Sequence, residues 1–250
     1  MKISEIIDIF EKKFPTEIAY EWDNVGLLVG DRSREVKNVV TCLDVTEDVV
    51  EFAKECEAEL IISHHPVIFS PINRINGDTK SGRLLMNAIE NKIAVYSAHT
   101  NCDKAEFGIN TRLAQMFELS DVEPLEEDGL GRIGNLLKPL DFCDFAKKIE
   151  DALSTKVRFC GDIKKAVKRV AICSGAGDDV ICSAIKKGAD VLVTGDTKYH
   201  RMLDFKDDIN VIDAGHFGTE SVVAELFAEI LCDMGLQVFW QDAEDVFKYL

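Results

Sequence analysis

Apolar positions fall into two periods along the chain, and the order of those periods predicts the architecture. At the N-terminus, Ile3, Ile6, Ile7, Phe10 and Phe14 recur at helical spacing among charged residues. Residues 38–45, "NVVTCLDV", form an apolar, β-branched run that reads as a strand. Residues 46–59 follow with Thr46 as N-cap, acids in the first turn and apolar residues three and four apart, the signature of a helix. "LIIS" (60–63) is a short aliphatic run of the kind found in strands covered on both faces. A helix at 81–92 then feeds a strand at 93–100. This is βαβ order, and it predicts an α/β fold with its sheet between helices.

The pattern occurs again further on. Residues 39–65, shifted forward by 131, fall without a gap on 170–196, so that Cys42 meets Cys173 and Leu60-Ile61-Ile62 meets Val191-Leu192-Val193. Residues 94–103, shifted by 117, fall on 211–220, which pairs His99 with His216 and Asp103 with Glu220. Two βαβ units resemble each other in any case, but a His-x-x-x-acid after the final strand of both points to two related halves. Between them, 121–136 is acidic, turn-rich and punctuated by glycine, a boundary signal placed near 126–132. The expected division is 1–128 and 129–250, with the C-terminal helix and strand able to pack back on the first half. A helix at 141–154 opens the second half. Residues 219–235 read as an amphipathic helix stopped by Gly235, and "LQVFWQ" as a last strand.

Composition narrows the class. Of 250 residues, 46% are hydrophobic and 30% charged, as in ordinary soluble domains. The net charge of −16 repels polyanions, so nucleic acid is not the expected partner. The first residues lack an uninterrupted apolar core and do not form a signal peptide; no window is long and apolar enough to cross a membrane. Eight scattered cysteines, none in a C-x-x-C pair, are expected to be free thiols, and the expected compartment is the cytoplasm.

All five histidines lie at or just beyond the end of an expected strand: His64 and His65, His99, His200 and His216. In open α/β sheets the carboxyl ends of strands face the ligand crevice. Within a regular strand, adjacent side chains point to opposite faces. Beyond its end that alternation lapses, and Pro66 biases His65 toward an extended conformation. Such a turn can aim both imidazoles into one cavity, each toward a different ion of a close pair. His216 and Glu220 are four apart and share one side if that turn is helical. With Asp103, these residues offer three imidazoles and two carboxylates. The N/O set suits two divalent ions of zinc, iron, manganese, cobalt or nickel, and suits calcium poorly.

At this point the chain resembles the dinuclear-metal proteins known as GTP cyclohydrolase 1 type 2 homologs. The resemblance rests on "EWDNVGLLVG", "SHHP", "AHTNCD", "GRIGNL", "TGDTKYH" and "GHFGTE" and spans nearly the whole chain, in the short form without a mid-chain insertion. It implies two interlinked α/β halves with the site in the cleft between them, a ring-shaped homohexamer, and metal ligation by His64, His65, Asp103, His216 and Glu220. It also places the Trp22-Asp23-Asn24 loop near the cleft, where the residues alone read equally as a polar turn before a strand. His99 is placed to orient a ligand, act as general base or bind metal less directly. Lys198 and His200 either meet an anionic substrate or belong to a solvated loop. "CSGAGDD" lacks the spacing of a phosphate cradle. The expected activity is hydrolysis of a nucleotide-like or other phosphorylated small molecule by a metal-bridged hydroxide, with His99 or His200 carrying protons. The alternative is a ring-shaped scaffold that binds metal or a partner, protein or nucleic acid, without turnover.

Overall fold

A computed structural model describes residues 1–241 and 244–248. The chain divides into two compact units, Met1–Ala105 with Val223–Glu244, and Glu106–Val222 with the described residues from Asp245 on.

The first unit opens with α1 (Ile3–Lys13), which buries Ile3, Ile6, Ile7 and Phe10, the face that the sequence spacing marks. Strand β1 (Gly26–Val29) leads to β2 (Asn38–Cys42), α2 (Glu47–Glu55), β3 (Leu60–Ser63), α3 (Lys80–Glu90) and β4 (Ala94–Ser97). Thr46 caps α2 by accepting the Val49 N–H, as expected, and Thr79 caps α3 through Gly82 N–H. Strands β2, β3 and β4 pair in parallel, and β1 closes the β4 edge antiparallel. A short helix, α4 (Thr100–Lys104), follows β4 directly.

The second unit starts with α5 (Ile109–Met116), then β5 (Ser120–Pro124) and β6 (Arg132–Leu140), which pair antiparallel. The glycine-punctuated stretch around 126–132 is therefore the connection of a hairpin. Arg132, buried, holds that turn by donating to the carbonyls of Gly129 and Gly131 and to the Thr111 hydroxyl. Next come α6 (Phe142–Leu153), β7 (Arg158–Cys160), β8 (Val167–Ala176), α7 (Ile181–Lys186), β9 (Val191–Gly195), α8 (Tyr199–Phe205), β10 (Asn210–Asp213) and α9 (His216–Glu220). Among the described residues the sheet order is β5-β6-β8-β9-β10-β7, with β8, β9 and β10 parallel.

The chain then returns to the first unit as α10 (Val223–Cys232) and β11 (Gln237–Trp240), whose strand pairs in parallel with β2. The expected single helix over 219–235 is thus two helices. The Thr219 hydroxyl turns back on the carbonyls of Gly215 and His216, a competition that bends helices.

Both sheets are covered on two faces, so successive strand residues enter different cores. In the first unit Val40, Ile61 and Val95 pack with α2 and α3, while Tyr96 meets Phe10, and Phe10 and Phe14 meet Phe227 of α10 at ring-centroid distances of 5.4–6.0 Å. In the second, Val170, Ile172, Val191 and Val193 pack with α5 and α6; Ala171, Cys173 and Leu192 pack with α7. The parallel registers also match. Val39 pairs with Leu60 in the first unit and Val170 with Val191 in the second, the expected offset of 131. The eight cysteines are free, and no helix among the described residues is long and apolar enough to cross a membrane.

Candidate metal centre

The paired histidines follow β3, and the ladder continues past the strand to hold them. His64 N–H donates to Cys42 and His65 N–H to Leu43 at 3.2 and 3.0 Å. The Ser63 hydroxyl curls back to the His65 carbonyl at 2.8 Å. This local loop abolishes the alternation, and the two rings lie 5.2 Å apart at 44°. Each is fixed through Nδ1. For His64, fully buried, the partner is the Ala98 carbonyl at 2.9 Å; for His65 it is the Asp44 carboxylate at 2.8 Å. A carbonyl can only accept, so His64 donates from Nδ1 and turns Nε2 toward Asp103 Oδ1, 3.5 Å away. Asp103 is held there by α4, whose first turn begins at His99.

His99 belongs to the same cluster. Its ring lies 5.1 Å from His64 and 5.5 Å from His65. One ligand atom each from His64, His65 and His99 lies within 4.8 Å of the others, so this group could hold a metal ion. His99 Nδ1 is bonded to Asp23 at 2.9 Å, and Asp23 also accepts the backbone N–H and hydroxyl of Thr100 at 3.0 and 2.5 Å. Burial opposes ionisation of Asp23, but these hydrogen bonds and the nearby imidazole outweigh it and hold the carboxyl at about 2.

In the second unit the donors come from one helical turn. Gly215, at φ +77°, turns the chain out of β10 into α9. His216 and Glu220 then meet at i and i+4, with Nε2 2.9 Å from Oε2, and Asp196 fixes His216 Nδ1 at 2.8 Å. The Glu220 hydrogen bond, helped by Asp196, raises His216 to about 9 against the effect of its burial. Glu220 is buried and passes close over the backbone of Gly175: a Cβ there would stand 2.2 Å from its Oε1. Thr219 beside it accepts the Gly175 N–H. Gly175 of "CSGAGDD" therefore clears space for a carboxylate.

Four imidazoles thus share one design. Nδ1 is tied to a carboxylate or carbonyl, the arrangement that supports metal-binding histidines. In two of them Nε2 faces a carboxylate oxygen, so an imidazole and a carboxylate that could both ligate lie side by side.

Each unit assembles its own share of the expected residues: His64, His65, His99 and Asp103 in the first, His216 and Glu220 in the second. His200 lies apart, exposed on α8 with its ring edge against Tyr199, and Lys198 reaches Asp178 at 3.6 Å. Sequence reasoning missed Asp44 and Gly175, saw Asp196 only as part of a polar group after a strand, and gave Asp23 no place behind a histidine. Asp44 and Asp196 carry the signal that found the histidines, since both lie just past the carboxyl end of a parallel strand.

The family model for Duf34/NIF3 (NGG1p interacting factor 3) matches residues 1–245. A GTP cyclohydrolase 1 type 2 homolog from Clostridium perfringens is 37% identical over 262 aligned positions that cover 100% of both chains. A Bacillus cereus protein related to NIF3 has a similar solved structure, with a TM-score of 0.95 and 26% identity over 100% of this chain and 99% of that one. Reduced HcgD from Methanocaldococcus jannaschii has a TM-score of 0.86 and 30% identity over 97% of this chain and 98% of its own.

Proposed function

The chain belongs to the Duf34/NIF3 family, and with that as premise we propose that it is a hydrolase working with two divalent cations. His64, His65, Asp103, His216 and Glu220 hold the ions. The observation that carries this reading is the anchoring of every one of those imidazoles through Nδ1. Random loop histidines have no need of a carboxylate or carbonyl behind them; ligands do. The N/O donor set fits zinc, iron, manganese, cobalt or nickel.

When bound, such a pair supplies Lewis acidity and lowers the pKa of a coordinated water toward about 7. The chain's own residues do the rest. His99, backed by ionised Asp23, accepts and returns a proton at Nε2, with the carboxylate stabilising the imidazolium. Lys198 and His200 on the exposed start of α8 are available to an anionic group. The substrate class is a nucleotide-like or other phosphorylated small molecule, and the assembly a ring-shaped homohexamer. The family description names an interaction rather than a reaction, which supports a second reading: a scaffold that binds metal or a partner without turnover.

Elemental analysis of the purified protein, combined with a metal-dependent hydrolysis screen of nucleotides and phosphoesters, tests both. The expected result is two ions per chain, with occupancy and turnover lost in folded His64→Ala and Glu220→Ala variants. Full occupancy in both variants refutes ligation by these residues. Occupancy without turnover on any substrate leaves the scaffold reading.

A further inference from the structure

One cluster next to the histidines has no part in metal binding. Trp22 and Phe69 are large, apolar and more than half exposed, at 59% and 54%. They are not scattered. Trp22 stacks on Tyr20 at 5.5 Å and 16°, approaches Phe69 at 5.9 Å, and both Trp22 and Phe69 meet the His99 ring edge-on at 6.2 Å. Asn24 Nδ2 donates to the Ile68 carbonyl at 2.6 Å and so pins the two loops that carry them together, while Tyr20 N–H donates to the Thr100 hydroxyl of α4 at 3.1 Å. The Lys104 ammonium, mostly buried, sits 3.3 Å from the centre of the Tyr20 ring and fixes the base of the stack.

A single exposed aromatic needs no explanation. Rings held together, wet and contiguous with the histidine cluster do. We propose that Trp22 and Phe69 form a stacking platform for the planar aromatic ring of a small substrate, a nucleoside or free nucleotide, and set its specificity. A π-face is what such a surface recognises, and it does so without reading hydrogen-bond edges. Preformed loops reduce the ordering cost of binding. The net charge of −16 favours a free nucleoside or nucleotide over a polymer, whose affinity depends on neutralising many phosphates. This inference rests on the proposed function only in taking the His99 cluster as the place where substrate reacts.

Trp22 is one of two tryptophans, so Trp240→Phe in the full chain leaves it the only reporter. In the metal-loaded protein, guanosine and adenosine should quench its emission saturably, and ribose 5-phosphate should not. By equilibrium dialysis, Trp22→Ala and Phe69→Ala should each weaken nucleoside binding about tenfold, the range of one stacking contact, and Trp22→Phe should restore most of it. Metal content should be unchanged in all three variants, so a failure of the platform and a failure of the metal centre are read separately. The proposal is overturned if no nucleoside quenches Trp22, if ribose 5-phosphate binds equally well, or if the alanine variants bind like the parent. It is equally overturned if only a single-stranded oligonucleotide binds, or if the emission responds to protein concentration alone, as it would were a second copy covering the surface.

Discussion

Replacing Asp23 by Asn removes one charge and leaves the side-chain shape, so it isolates what that carboxylate does. Four donors converge on it: His99 Nδ1–H, the Asn24 N–H, the Thr100 N–H and the Thr100 hydroxyl. Its pKa falls from 3.8 to about 2. At about 1.4 kcal/mol per tenfold, that difference is roughly 2.4 kcal/mol of stability, an order-of-magnitude figure for a side chain with no exposed surface. The sign follows from the depressed value: the contribution is complete above pH 3.8 and disappears as the pH falls through about 2. Linkage puts it at about 1.3 kcal/mol at pH 3, roughly half. An amide reaches a similar total from the other side. It offers one acceptor and one donor group to four donors, leaving at least one buried group unsatisfied at about 1–3 kcal/mol. Denaturant unfolding of parent and Asp23→Asn at pH 7 and pH 3, at one ionic strength, should therefore show a gap of about 2 kcal/mol that narrows to about half. NMR should show His99 losing its fixed Nδ1–H tautomer. A variant as stable as the parent at pH 7, or a gap unchanged at pH 3, refutes the reasoning.

Gly175→Ala places a Cβ against Glu220 Oε1 and forces a non-glycine residue to φ +60°; about 1–2 kcal/mol of backbone cost should appear in thermal melts, with reduced metal uptake by elemental analysis. Phe227→Ala empties the centre of the ring cluster that joins α1 to α10 and should cost about 3–5 kcal/mol in denaturant unfolding, while a value under 1 kcal/mol would show that α10 contributes little to that core. Chelation of bound metal should lower the melting temperature, and re-addition of a divalent cation should restore it in proportion to the logarithm of its free concentration; a melting point indifferent to metal counts against ligation by buried residues.

The elements that hydrophobic period predicts are those whose side chains enter a core. Ile3, Ile6, Ile7 and Phe10 show a helix because one face of α1 is buried, and "LIIS" shows a strand because all four residues are covered. Strand β5 escapes this reading because every residue of it is exposed and it ends in Pro124, as an edge strand does. The histidines were legible from their places at strand ends. Their supports were not, because hydrogen-bond partners lie 76, 21 and 20 residues away for His99, His65 and His216, and a sequence gives no distance between such positions. The exposure of Trp22 and Phe69 was illegible for a similar reason: composition says that an aromatic is present, and only packing says that it is left uncovered.

The internal repeat shows how backbone and chemistry part company. A shift of 117 pairs His99 with His216 and Asp103 with Glu220, yet the third strands are in register at 116: Leu60 pairs with Ala94, and Val191 with Asn210. The hydrogen bonds agree, since Ala98 N–H meets Ser63 and Ala214 N–H meets Thr194, again 131 and 116 apart. In backbone terms His99 corresponds to Gly215 and Asp103 to Thr219, whose N–H groups close the same turn onto His99 and Gly215. One residue is about 100° of helix rotation, so the two acids do not leave their helices in equivalent directions. In the second unit the equivalent of Asp103 is a threonine that braces Gly175, and the acid one residue later is the longer glutamate, which reaches across that glycine's bare Cα. The matched His-x-x-x-acid spacing is therefore a likeness of composition laid over a backbone displaced by one residue. If Glu220 works by reach, Glu220→Asp should lose metal almost as completely as Glu220→Ala, and elemental analysis showing full occupancy in the aspartate variant would contradict this account.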